Sequence, residues 1–178
     1  MRTLTLGMIC LCAMPSAQGD IVASSPDGFH LKLAQSSDLN CSELDGKITD
    51  LPRWWSSDHT YSGDTNNLSL ASVSEGGVWQ ENWDTGWVEH GRLVAKFVNP
   101  DGSHTFRFDA SLGPLQAMGV EAVLTIALSE ETDAETTAHC AVAFEYVVTG
   151  SDFQSLDAVA APVDRVLSEQ IMRLASTD

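Results

Sequence analysis

The residues of this chain most able to do chemistry are two glutamates set among tryptophans. Trp79, Glu81 and Trp83 recur at steps of two, as do Trp87 and Glu89 a few residues on. At strand spacing each set shares one face. A carboxylate held beside indole rings in a dry site is disfavoured in its charged form and can serve as an acid or base. The same Glu on a strand end reaches water or pairs with Arg92 or Arg107. A second cluster, Asp58, His59 and Tyr61, combines an acid, an imidazole and a phenol in one short loop. It suits the orientation of a polar ligand group, or equally the satisfaction of the loop's own backbone. His104, in step with Phe106 and Phe108, reads as a hydrogen-bonded rim or core residue. Asp58-His59 and Glu89-His90 are sequence neighbours that a strand would send to opposite faces, so no metal site is expected. No nucleophile elbow, phosphate-cradling glycine loop or dinucleotide fingerprint is present, and no cofactor is expected.

These residues need a scaffold, and the periodicity supplies one. Phe29, Leu31 and Leu33 alternate with polar neighbours and predict a first strand. Ser36-Ser37-Asp38 offers caps for a helix near 39–45 that Gly46 can end. A second short helix is expected near 48–54, limited by Pro52. Strands then follow with turns at Glu75-Gly76-Gly77, Asp84-Thr85-Gly86 and Asn99-Pro100-Asp101-Gly102. A single long strand is expected to carry Trp87, Glu89, Gly91, Leu93, Ala95 and Phe97 on one face. Val120 to Leu128 supplies the next apolar face, an acidic turn occupies 129–135, and a last strand runs over 136–148. From Leu156 the period changes. Leu156, Val159, Ala160, Val163, Val166, Leu167 and Leu174 fall at three- and four-residue steps, the stripe of an amphipathic helix. Pro162 is expected to kink it or to open a new first turn.

This order of elements resembles the START-like, or SRPBCC, superfamily, which includes polyketide cyclase/dehydrase and lipid-transport proteins. Three segments resemble exported bacterial members: Trp54-Trp55-Ser56-Ser57-Asp58-His59-Thr60-Tyr61-Ser62-Gly63-Asp64, Leu112-Gly113-Pro114-Leu115, and Ala160-Ala161-Pro162-Val163-Asp164-Arg165-Val166-Leu167. The resemblance implies an α+β helix-grip fold. A curved antiparallel sheet of about seven strands would wrap a long C-terminal helix, with two short helices after the first strand. It further implies an apolar cavity between sheet and helix. Its expected lining is Trp55, His59, Tyr61, Trp79, Glu81, Trp83, Trp87, Glu89, Phe106, Val163 and Leu167. Members include carriers, cyclases, hydrolases and co-chaperones, so the fold does not transfer an activity.

Residues 1–19 read as a cleaved leader: Arg2, an apolar run from Leu4 to Met14, and Ala17-Gln18-Gly19 before Asp20. The remainder, 20–178, is expected to be one periplasmic or secreted domain, a monomer or weak dimer. Cys41 and Cys140 then form either one disulfide or two buried thiols. The chain has 25 Asp+Glu against 9 Lys+Arg, a formal charge of −16. That acidity rules against nucleic acid and against an electrostatic hold on an anionic membrane. The expected partner is a small hydrophobic or amphipathic molecule. The alternatives are an enzyme of the cyclase or hydrolase kind using Glu81 or Glu89 with His59 or Tyr61, and a protein-interaction module.

Overall fold

In a computed structural model the structure describes residues 18–71, 73–132 and 138–177. Most of the expected leader, residues 1–17, lies outside these, as do the acids Asp133 and Glu135 and the start of the last expected strand. Eight strands are present among the described residues: β1 (Gln18–Ser25), β2 (Gly28–Ser37), β3 (Leu68–Ala71), β4 (Val78–Trp83), β5 (Gly86–Val98), β6 (His104–Asp109), β7 (Glu121–Thr132) and β8 (Ala138–Thr149). They form one antiparallel sheet in the order β1-β2-β8-β7-β6-β5-β4-β3. Two α-helices accompany it, α1 (Cys41–Thr49) and α2 (Asp157–Ala175). The strand beyond the expected seven is β1, an edge strand whose sequence QGDIVASS has no sustained alternation.

Helix α1 begins later and ends later than its composition suggests. Asn40 is the cap: its side chain accepts the Glu43 amide and Glu43 in turn accepts the Asn40 amide. The helix runs through Gly46 to Thr49, because Leu44, Lys47 and Ile48 are held by burial. The second expected helix is a single 3-10 turn, Leu51–Arg53.

The core lies between the sheet's inner face and the helices. On β7, Ala122, Leu124, Ile126 and Leu128 are buried; on β8, Cys140, Val142, Phe144, Tyr146 and Val148. Trp79, Phe106 and Phe108 continue this face toward the other edge. Cys41 and Cys140 are joined by a disulfide that pins α1 to β8. The apolar stripe of α2 divides in two. Ala160, Leu167, Ile171 and Leu174 are buried in the core, whereas Val159 and Val163 are only partly covered. Pro162 lies within the continuous helix.

The long strand β5 does not keep one phase. Trp79 pairs with Gly91, but Gln80 pairs with Glu89, so His90 is the extra residue of a bulge. A second irregularity sets Val94 between Leu93 and Ala95. Each extra residue flips the strand's faces. Leu93 therefore points inward, while Trp87 and Glu89 before the first bulge point outward, as does Phe97 after the second. Trp87 is 70% exposed, and Glu89 pairs with Arg92 at 2.7 Å. The inward residue at that place is His90, 4% exposed.

Candidate functional site

A pocket of about 420 Å³ opens where three segments meet. One wall is the partly covered side of α2: Val159, Pro162, Val163, Val166 and Leu167. The second is a short 3-10 segment, Gly113–Met118, with the preceding Leu112. The third is the loop after α1, from Trp55 through Asp58 to Tyr61. These are the segments whose text carries the family resemblance, and the fold brings all three to one place.

Each wall is fixed by identifiable bonds. The Gly113–Met118 segment requires glycine at both ends, since Gly113 has φ +56° and Gly119 φ +67°. The Tyr146 hydroxyl holds its near end, accepting the Leu112 amide at 3.3 Å and donating to the Ala110 carbonyl at 2.9 Å. Burial pushes that phenol well above its ordinary value, so it stays neutral and keeps donating. The Gln154 side chain donates to the Met118 carbonyl at the far end.

The 55–61 loop is anchored from below. Buried Gln170 of α2 accepts the Ser56 amide at 2.8 Å. The Trp55 indole donates to the His59 carbonyl at 3.0 Å. His59 Nε2 lies 3.2 Å from a Glu169 carboxylate oxygen, tying the loop to α2. The Tyr61 hydroxyl donates to the Gly113 carbonyl at 3.2 Å, joining two walls directly.

Glu81 does the remaining work. Its carboxylate is fully buried and accepts three donors: the Tyr61 amide at 3.0 Å, the Ser62 amide at 2.6 Å and His90 Nε2 at 3.0 Å. A carboxylate only accepts, so Nε2 of neutral His90 carries the proton. Burial raises the Glu81 pKa, but the bonds from Ser62, Tyr61 and His90 outweigh it and hold it below the ordinary carboxylate value. Burial pushes the His90 imidazole below its usual value, with Glu81 pulling part of the way back. Glu81 is thus ionised and saturated. It positions the loop and is not among the residues that line the pocket.

Of the expected lining, Trp55, His59, Tyr61, Val163 and Leu167 meet at the pocket. Trp79 and Phe106 are packed in the core: Trp79 stands 4.7 Å from Trp55 and 5.8 Å from Phe108, ring centre to ring centre. Trp83 shares their sheet face but lies at the end of β4, outside the lining. Trp87 and Glu89 are on the outer face because of the bulge. Trp79 and Phe106, expected to line a cavity, instead fill the space between sheet and helix. His104 is a rim residue, 2.9 Å from Asp45. Sequence reasoning passed over Met118, Val159, Pro162 and Val166, since apolar loop and helix residues carry no chemical signature. For the three on α2, the signal that could find them is a stripe wider than the core requires.

Among the described residues no cluster of three or more His, Cys, Asp or Glu could hold a metal, and no helix is long and apolar enough to cross a membrane. No family model and no curated protein matches the chain. Solved structures do. A STAR-related lipid transfer protein from Xanthomonas axonopodis aligns at a TM-score of 0.55 and 12% identity, over 92% of this chain and 93% of that one. The lipid transfer and protein localization domain of human StarD13 aligns at 0.50 and 9%, over 89% and 87%. At these identities the likeness is one of fold. The chain has the START-like helix-grip fold, a curved antiparallel sheet closed by a C-terminal helix.

Proposed function

We propose that this protein is an exported carrier that binds a small amphipathic molecule in the pocket between α2 and its two facing loops. The observation that carries the reading is the division of that pocket. Its α2 and 112–118 walls are apolar, while Asp58, His59, Thr60 and Tyr61 gather on the remaining side. A few convergent polar groups in an otherwise apolar pocket are the pattern of a small-molecule site. No Lys or Arg is among the lining residues, and Asp58 supplies a negative charge. The ligand's polar end is accordingly neutral or cationic, an alcohol or amine rather than a carboxylate or phosphate. The lipid-transfer names of the two similar structures support an apolar ligand body. The disulfide supports export, since such bonds persist in oxidising compartments. Nothing around Glu81 or Glu89 favours acid–base catalysis: one is saturated with donors and the other faces outward.

The test is a titration followed by tryptophan fluorescence, with Trp55 as the reporter in the wall. Dodecanol, dodecylamine and dodecanoate are compared. Saturable binding of the alcohol or amine is expected, at least about tenfold tighter than the carboxylate, which is about 1.4 kcal/mol. Val163→Trp fills the pocket and should abolish it. Tight binding of dodecanoate alone, or binding indifferent to Val163→Trp, sinks the reading.

A further inference from the structure

Asp164 sits on α2 beside the pocket residue Val163, and one of its oxygens, Oδ1, is buried with no hydrogen-bond partner among the described residues. Such an oxygen is costly unless a cation or donor reaches it. What it faces is the start of β1. Gly19 pairs with inward-facing Leu33, so it looks toward α2. A Cβ on Gly19 would collide with the Asp164 carboxylate. Asp20 pairs with outward-facing Lys32, which sends its own side chain to the other face. The next backbone nitrogen after Gly19 is that of Asp20. The sequence Ala17-Gln18-Gly19 marks the Gly19–Asp20 bond as the expected site of leader removal.

We propose that leader removal creates the missing partner: the new α-ammonium of Asp20 pairs with Asp164 and fastens the first strand to the pocket helix. The inference rests on the export part of the function proposed above. The covalent step is hydrolysis by a leader peptidase. Water adds across the Gly19–Asp20 peptide bond, the leader departs with Gly19 as its terminal carboxylate, and Asp20 keeps the nitrogen as an ammonium. The group gains a positive charge, and the departure of Gly19, which covers Oδ1 in the unprocessed chain, both uncovers that oxygen and gives the ammonium room to turn toward it. Before cleavage the same nitrogen is a neutral amide. Other charges near Asp164 do not satisfy it. Arg165 is exposed on the same helix, Asp20 contributes a like charge, and Lys32 is engaged with Glu145 at 3.4 Å on the outer face. Burial, with Asp20 adding to it and Arg165 opposing, holds Asp164 above its ordinary carboxylate value in the unprocessed chain. An adjacent ammonium would bring it back down.

The test uses the full chain exported and processed by its host cell, with no ligand, so its failure is separate from failure of the pocket reading. Intact mass gives the first residue, and NMR titration gives the pKa of the terminal amine. A terminus at Asp20 is expected, with its amine raised from the ordinary range of about 7.7–8.0 to about 9. Asp164→Asn should return it to the ordinary range. Acetylating the amine should lower the melting temperature of the wild type and leave that of Asp164→Asn unchanged. A terminus at any other residue overturns the proposal, as does an amine that titrates in the ordinary range in the wild type.

Discussion

Replacing Glu81 by Ala tests how the site is built. The substitution strands two backbone amides, of Tyr61 and Ser62, and the buried His90 N–H. Each hydrogen bond to a charged acceptor contributes about 1.5–3 kcal/mol net. Tyr61 is exposed and Ser62 half-buried, so water can replace part of the loss at those two amides. The expected destabilisation is about 3–4 kcal/mol, at the upper end for a single substitution. With an m-value of about 1.5–2 kcal/mol/M, the urea midpoint falls by about 2 M. The pH dependence has a definite sign. His90 titrates below its unfolded value of about 6.5, so the unfolded chain binds more protons there and stability falls as pH drops below that value. Glu81 is also depressed, and its stabilisation is lost as pH falls from about 4.3 through its folded value. Wild type should lose stability in both windows; Glu81→Ala keeps the first and shows a shallower second, to which Asp45 and Glu145, also held below the ordinary carboxylate value, still contribute. Urea unfolding followed by tryptophan fluorescence at pH 7, 5 and 3.5 measures all of this. A loss below about 1 kcal/mol at pH 7, or an unchanged acid limb, would refute the assignment of Glu81 as the anchor of the pocket loop.

Three further outcomes follow from the packing. Reducing the disulfide, which closes a sequence separation of 99, should cost up to about 4.7 kcal/mol in the chain-entropy model, read as a lower melting temperature in reductant. Buried Lys47 donates to the carbonyls of Arg173 and Ser176 at 3.0 and 2.7 Å, capping the negative end of α2. Lys47→Met should cost about 2–3 kcal/mol by urea unfolding, and a neutral result would remove that capping role. On the outer face, Trp87→Ser and Glu89→Gln should each change stability by less than about 0.5 kcal/mol and leave ligand titration unaltered.

The parts of the fold that the sequence reveals are those where one periodicity runs unbroken. Every second residue is buried from Ala122 to Leu128 on β7 and from Cys140 to Val148 on β8, and the face expected over Val120 to Leu128 matches the observed one from Ala122 on. On β5 the same logic fails, because a bulge consumes one residue without changing the residue types around it. His90 then takes the inward place assigned to Glu89. Nothing in the text Trp87-Val88-Glu89-His90-Gly91 distinguishes a bulged strand from a straight one, apart from the glycine after it. β1 is an edge strand with no alternation whose first two residues, Gln18 and Gly19, fall in the leader-like segment, so no periodicity marks it. The pairing of Cys41 with Cys140 depends on docking α1 against β8, which no local pattern encodes. The site was legible in part. The polar residues His59 and Tyr61 signal chemistry by type, and Val163 and Leu167 by helical phase. Leu112 to Leu115 stands out in the sequence only through the resemblance, and its place at the pocket is set by Tyr146 and by two glycines with positive φ.

The central claim is that the pocket between α2 and the 55–61 and 112–118 segments holds an amphipathic ligand. Amide chemical shifts recorded during titration with dodecanol test it most directly. Saturable shifts are expected to concentrate at Trp55–Tyr61, Leu112–Met118 and Val159–Leu167, with β7 and β8 unmoved. Shifts centred on the sheet's outer face, or none at saturating alcohol, would contradict it.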